Sequence, residues 1–303
     1  MGDAVIHTSG LTVYYGAQRG IVDVDLQVRA GEVFGFLGPN GAGKTTLQRV
    51  LMDVLRPTRG SARVFGMDCR KQGVAIRKRA GYLPGELSLY PGIKAGAFLE
   101  MLGALHGGVV DETYRNQLCE RLALDPARKM RTYSRGNKQK VGIVAAFMGR
   151  PDLLILDEPT SGLDPIMQQV LLDLVREAKD EGRTIFFSSH NLPEVQAVCD
   201  RVGIIREGRL IQTSEVDALT KQQFVRLRLR FRDTPPADAF SGNGVSETRR
   251  DGREVILEIA HGMDAVMTRA AALGIEEIET LPVTLEEIFL AFYDKPTKES
   301  LDA

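Results

Sequence analysis

Residues 133–164 read YSRGNKQKVGIVAAFMGRPDLLILDEPTSGLD, and this stretch decides the fold. Its centre is a short apolar run, Leu153–Leu156, followed directly by two carboxylates, Asp157 and Glu158. A run of this length and composition reads as a buried strand, and ligands of open α/β sheets gather beyond the carboxyl ends of strands. Adjacent side chains on a strand point to opposite faces. Asp157 is therefore placed to hold a hydrated Mg²⁺, and Glu158 to orient or deprotonate an attacking water. Taken alone, the pair could equally be an acidic strand end solvated in a loop. Upstream, Ser134 and Gly136 precede an apolar helix that begins near Lys138. Ser and Gly at a helix N-terminus make either a simple cap or an anion-binding surface.

The stretch that tips this balance is Gly38-Pro39-Asn40-Gly41-Ala42-Gly43-Lys44-Thr45-Thr46, which fits G-x-x-x-x-G-K-[ST]. It lies between an apolar strand, VFGFL, and a segment with helical apolar spacing, Thr45–Leu55, which Pro57 stops. Glycines let backbone N–H groups turn inward around phosphate oxygens, and the following helix aims its positive end at them. Lys44 supplies a cation to β- and γ-phosphates, and the Thr45 hydroxyl can ligate Mg²⁺. His190, after the β-rich run TIFFSS, falls at another strand end facing the same phosphates and reads as a γ-phosphate contact.

Working outward, LTVYY and IVDVDLQV read as strands, AGYL at 80–83 as another, and 92–150 as a glycine-interrupted helical region. Helices follow at Ile166–Asp180 and Leu192–Cys199, a strand at Thr184–Ser188, and a hairpin around Glu207-Gly208. Strands alternating with helices give an α/β core with a helical insertion. Near Lys221 the composition shifts. FVRLRLRFR, REVILEIA, Met263–Leu273, IEEIETL and TLEEIFLAFY then predict a small β-β-α-β-α domain over 221–293, with a loose polar tail at 294–303. The arginines of FVRLRLRFR fit an exposed edge strand protected by charge, or a surface for phosphate or anionic lipid.

With 303 residues, 43% hydrophobic and 26% charged, the chain suits one large domain plus a small one. A formal net charge of -1 speaks against nucleic acid as the main partner. Cys69, Cys119 and Cys199 are widely spaced, which argues against a disulfide framework or zinc site and for a reducing cytoplasm. The N-terminus lacks the pattern of a secretory signal, and no window holds the ~18 apolar residues of a membrane-spanning helix. A role at a membrane therefore calls for another polypeptide to cross it.

Together these motifs resemble the nucleotide-binding subunit of ABC transporters over residues 1 to about 220. GPNGAGKTT is similar to the Walker A loop, LLILDEP to Walker B, SGLD to the D-loop, SSH to the switch-histidine loop and YSRGN to the signature usually written LSGGQ. The resemblance implies a P-loop NTPase (RecA-like) core with an antiparallel β subdomain and a helical subdomain at about 86–150. It implies ATP and Mg²⁺ as ligands, with Gly38, Asn40, Gly41, Gly43, Lys44, Thr45 and Thr46 around the phosphates. Tyr15 matches the aromatic that stacks on adenine, although Tyr14 could take that place. It further implies a dimer, of identical or related chains, in which ATP lies between the Walker loop of one subunit and Ser134 and Gly136 of the other. That dimer would drive a separate integral membrane permease from the cytoplasmic face.

Two segments depart from the family pattern. Gly85 stands where a glutamine is usual, either as a hinge or with Glu86 serving as substitute metal ligand. Tyr133, Arg135 and Asn137 replace Leu, Gly and Gln of the signature, and Arg135 could touch phosphate or simply be solvated. TLEEIFLAFY is similar to the ending of ATPase subunits of bacterial exporters of drugs, antibiotics or lipids. An importer ATPase, or a soluble ATPase acting on ribosomes or DNA, is the alternative.

Overall fold

The computed structural model describes residues 4–105, 111–221, 225–240, 242 and 244–281. The chain divides into two compact units, residues 1–214 and 215–303.

The first unit opens with a hairpin of β1 (Ala4–Tyr15) and β2 (Gln18–Arg29), turned at Gly16, whose φ of 62° is left-handed. Val24, Leu26 and Val28 alternate inward along β2, the burial pattern of a sheet with one solvated face. After the fully buried β3 (Val33–Leu37) comes helix α1 (Lys44–Leu51). α1 is shorter than its apolar spacing suggests, because Asp53 adopts φ 54° and ends the helix well before Pro57. β4 (Arg59–Val64) and β5 (Met67–Asp68) complete an antiparallel sheet in the order β2-β1-β4-β5. Helix α2 (Cys69–Arg77) follows, capped by Asp68, which accepts from the N–H groups of Arg70 and Lys71.

β6 (Ala80–Leu83) leads into the helical insertion of α3 (Ala95–Leu105), α4 (Glu112–Arg121) and α5 (Arg135–Phe147). The insertion thus becomes helical at Ala95, after a loop over 86–94. Then come β7 (Leu153–Asp157), α6 (Pro165–Asp180), β8 (Thr184–Ser189), α7 (Leu192–Val198), β9 (Arg201–Arg206) and β10 (Arg209–Glu215). Glu207 and Gly208, with φ of 49° and 74°, turn between β9 and β10 as the twist of a two-residue hairpin requires.

The second sheet runs β10-β9-β3-β8-β7-β6, with β6, β7, β8, β3 and β9 parallel. Every residue of β3, β7 and β8 is buried, as expected of parallel strands covered on both faces. Phe34 and Phe36 lie 5.9 and 5.3 Å, centroid to centroid, from Phe186 and help tie β3 to β8. This is the α/β core with an antiparallel subdomain and helical insertion that the sequence predicts. The carboxyl ends of β3, β7 and β8 open on one edge, where the phosphate loop, Asp157 and His190 converge.

The second unit holds α8 (Val216–Lys221), β11 (Val225–Phe231), β12 (Val245–Asp251), β13 (Glu254–Ile259), α9 (Met263–Ala272) and β14 (Ile275–Leu281). Its antiparallel sheet has the order β12-β13-β11-β14. β12 is absent from the sequence reading because its residues, VSETRRD, are mostly exposed and carry no apolar alternation. The edge-strand reading of FVRLRLRFR is corrected: β11 is paired on both sides. Its arginines meet glutamates of the neighbouring strands, Arg226 with Glu258, Arg228 with Glu279, and Arg230 with Glu277 at 3.6 Å. Leu227, Leu229 and Phe231 face the other way, into a core with Val255, Leu257, Val266 and Ala270. TLEEIFLAFY and the tail lie outside the described residues.

Candidate nucleotide site

β3 delivers the chain to the loop 38–43. Gly38 is required by contact, since an added Cβ would stand 2.4 Å from the Ile205 carbonyl. Gly43 is required by conformation as well, with φ 109° and space closed by Ile21 and the Gly20 carbonyl. As the residue before α1, Gly43 lets Lys44, Thr45 and Thr46 present the unpaired N–H groups of the first helical turn. Those residues, with Asn40, Gly41 and Tyr15, line a cleft of about 240 Å³.

Lys44 is nearly buried, at 5% exposure. Its ammonium donates to the carbonyls of Gly38 (2.5 Å) and Pro39 (3.2 Å) and pairs with Glu158 Oε1 at 3.0 Å. Thr45 Oγ1 donates to Asp157 Oδ2 at 2.7 Å, and Ser188 Oγ to Asp157 Oδ1 at 2.7 Å. Asp157 is fully buried, so its charge rests on these two hydroxyls. Burial, and secondly the charge of Asp157, push the Tyr82 phenol up to about 12.

Glu158 is not a strand residue. β7 ends at Asp157, and Glu158 turns away with φ 48°, its N–H donating to the Ser188 carbonyl at 3.2 Å. The divergence of the two carboxylates comes from this left-handed turn rather than from strand alternation. Glu158 Oε2 lies 2.6 Å from His190 Nδ1. The turn carrying His190 is braced by buried Glu194, which accepts from Ser189 Oγ (2.9 Å) and Asn191 Nδ2 (3.0 Å). The sequence reading gives Glu194 no place, and it takes Ser188 and Ser189 only as part of SSH, without a role of their own. The doublet of serines closing an otherwise apolar strand was the available signal for one.

Tyr15, rather than Tyr14, lines the phosphate-loop cleft, its hydroxyl 3.3 Å from Thr46 Oγ1. The backbone N–H of Tyr14 is bound instead to Thr58 Oγ1. Ser134 caps α5 by accepting from the N–H of Asn137 at 3.3 Å. A Cβ on Gly136 would meet the Gly162 carbonyl at 2.6 Å, so glycine lets α5 approach the 160–164 turn. Neither Ser134 nor Gly136 lines the phosphate-loop cleft that holds Lys44. Tyr133 is buried, and its hydroxyl donates to the Asp125 carbonyl. Gly85 and Glu86 share a second cleft, of about 360 Å³, with Asp157, Glu158 and His190. Gly85 has no positive φ, so the backbone does not demand a glycine there.

Comparison with known proteins decides what this arrangement belongs to. Residues 21–161 match the family described as ABC transporter. The chain is 38% identical over 231 residues to the daunorubicin/doxorubicin resistance ATP-binding protein DrrA of Streptomyces peucetius, covering 74% of this chain and 70% of that protein. The chain belongs to the ABC transporter ATP-binding family. The bacitracin transport ATP-binding protein BcrA of Bacillus licheniformis is 36% identical, with 76% of each chain covered. DrrA3 of Streptomyces coeruleorubidus, a daunorubicin resistance ATP-binding protein, is 32% identical over 96% of both chains. Among solved structures, an ATP-binding subunit of an ABC transporter superposes with a TM-score of 0.66 at 29% identity, covering 72% of this chain and 92% of that one. This ABC protein is accordingly an ATP-binding ATPase of the kind coupled to transport. No helix among the described residues is long and apolar enough to cross a membrane. The relatives are ATP-binding proteins of transporters, which implies a membrane permease as partner.

Proposed function

We propose that this ABC ATPase is the motor of a bacterial exporter of drugs, antibiotics or lipids, working as a dimer on a separate permease at the cytoplasmic face of the membrane. The observation that carries the catalytic part is the convergence of Lys44, Thr45, Asp157, Glu158 and His190 on one sheet edge. The exporter assignment follows the resistance and antibiotic-transport relatives.

In this reading the loop N–H groups and Lys44 bind the β- and γ-phosphates, and Tyr15 stacks on adenine. Thr45 and Asp157 offer a hydroxyl and a carboxylate oxygen 2.7 Å apart, the hard oxygen donors that suit Mg²⁺. Held by these two residues, a magnesium ion would supply positive charge to offset that of the phosphates. Glu158 orients the attacking water and takes its proton. His190, bonded to Glu158, keeps that carboxylate in place and reaches the γ-phosphate. Ser134 and Gly136, which do not line the Lys44 cleft of their own chain, cap the nucleotide of a second subunit through the N-terminus of α5. Closure on ATP and opening after hydrolysis then perform work, because ATP binds the closed dimer more tightly than the open one.

The test is Glu158→Gln. ATP binding should persist, turnover should fall on the order of 10²–10⁴ or more, and a closed dimer should accumulate. Near-normal hydrolysis by this variant would remove Glu158 from the reaction. Co-purification of the untagged permease with the tagged wild-type subunit tests the transport assignment.

A further inference from the structure

His190 is exposed, with 57% of its side chain open to solvent, so packing does not hold the ring where it meets Glu158. Its place is set by the backbone on either side. Upstream, the chain is pinned. The Ser188 carbonyl accepts from the Glu158 N–H at 3.2 Å, and the Ser189 carbonyl from the Gly38 N–H at 3.4 Å. At His190 the strand has ended, and the turn into α7 depends on side chains instead.

Those side chains meet on Glu194, which is 6% exposed. Its carboxylate accepts from Ser189 Oγ at 2.9 Å and from Asn191 Nδ2 at 3.0 Å, the two chain neighbours of His190. Ser189 Oγ in turn accepts from the Asn191 N–H at 2.9 Å, so one chain of hydrogen bonds encloses the histidine. Asn191 stands at the N-cap of α7, where asparagine ordinarily bonds the N–H groups of its own helix. Its side chain makes no such bond and reaches Glu194 instead. The helix is a firm mount: Leu192, Val195 and Val198 are buried, and a Cβ added at Gly35 of β3 would stand 2.9 Å from Val195 Cγ1. Among the described residues Glu194 forms no ion pair. A carboxylate buried on neutral donors alone is costly, which points to placement rather than stability as its use.

We propose that Glu194 is a positioning residue for ATP hydrolysis, holding the 189–191 turn so that His190 stays on Glu158. Glu194 lines neither cleft of the site and acts through His190. The inference rests on the roles given above to Glu158 and His190.

The experiment combines steady-state ATPase kinetics of the full-length protein with the imidazole NMR signal of His190, one of four histidines in the chain, assigned through His190→Ala. Glu194→Ala should lower kcat about tenfold and leave KM for ATP within about twofold, as misplacement of one reacting group does. Glu194→Gln, which keeps one acceptor oxygen, should fall between. On the His190→Ala background, Glu194→Ala should change the residual rate by less than about twofold, because the group it places is gone. In the nucleotide-free protein, Glu194→Ala should shift the His190 signal and leave those of the other histidines in place. The same comparison with Glu194→Gln keeps the test intact if the alanine variant fails to fold. A further fall of about tenfold on the His190→Ala background, a loss carried by KM, an unchanged kcat, or an unmoved His190 signal would overturn the proposal. Normal turnover by His190→Ala would instead refute the hydrolysis reading, with the NMR result still deciding whether Glu194 holds the ring.

Discussion

Lys44 and Glu158 form an ion pair of 3.0 Å in which the carboxylate stands where phosphate charge is to be bound. In the proposed function the base thus fills its own site, and a nucleotide must take Lys44 from Glu158 before the carboxylate can turn to water. Neutralising Glu158 should ease that exchange. Stopped-flow binding is expected to give faster ATP association for Glu158→Gln than for wild type, alongside its loss of turnover. Slower association would contradict the self-filled site.

Thr45→Val removes both an oxygen donor and the 2.7 Å hydrogen bond to buried Asp157. The carboxylate then depends on Ser188 alone. Magnesium titration of ATPase activity should show a rise of about 10–100-fold in the metal needed for half-maximal rate. An unchanged magnesium requirement would exclude Thr45 from the metal site.

Gly136→Ala places a methyl group 2.6 Å from the Gly162 carbonyl. Either α5 or the 160–164 turn must shift, and overpacking of this kind costs about 1–3 kcal/mol. The expected result is a lowered Tm together with reduced activity, since the shift displaces the cap of α5. An unaltered Tm would show that the two segments yield freely.

The cysteines give a pH dependence. Burial, then the charges of Asp68 and Asp53, push the Cys69 thiol from 9.0 up to about 12, and burial raises Cys119 and Cys199 as well. The folded chain keeps protons that the unfolded chain gives up. Stability from this source is complete below about pH 9 and is lost as pH rises toward 12, at up to about 1.4 kcal/mol per pH unit for each thiol. Urea denaturation above pH 9 should therefore decline more steeply for wild type than for Cys69→Ala. Parallel profiles would contradict it. The same burial predicts no native alkylation by iodoacetamide near pH 8.

The α/β core was readable because β3, β7 and β8 are apolar throughout and end in residues whose chemistry is position-specific: the glycine loop, Asp157 and the Ser188-Ser189-His190 turn. What escaped the sequence has physical causes. β12 is a polar strand without period-two burial, and α1 ends on the left-handed Asp53 rather than on a proline. The arginine-rich β11 looked like an edge because its countercharges, Glu258, Glu277 and Glu279, arrive from strands distant in sequence. The brace of Ser189 and Asn191 on Glu194 was hidden for a different reason. An acid on a short helix is commonplace until a tertiary structure buries it against two polar partners.

Mixing two inactive variants, Lys44→Ala and Ser134→Arg, tests the shared nucleotide site most directly. Each alone should be silent. Their equimolar mixture should recover about a quarter of wild-type ATPase activity, because half of the dimers then carry one intact composite site. No recovery on mixing, or full activity of Ser134→Arg by itself, would contradict a nucleotide clamped between two chains.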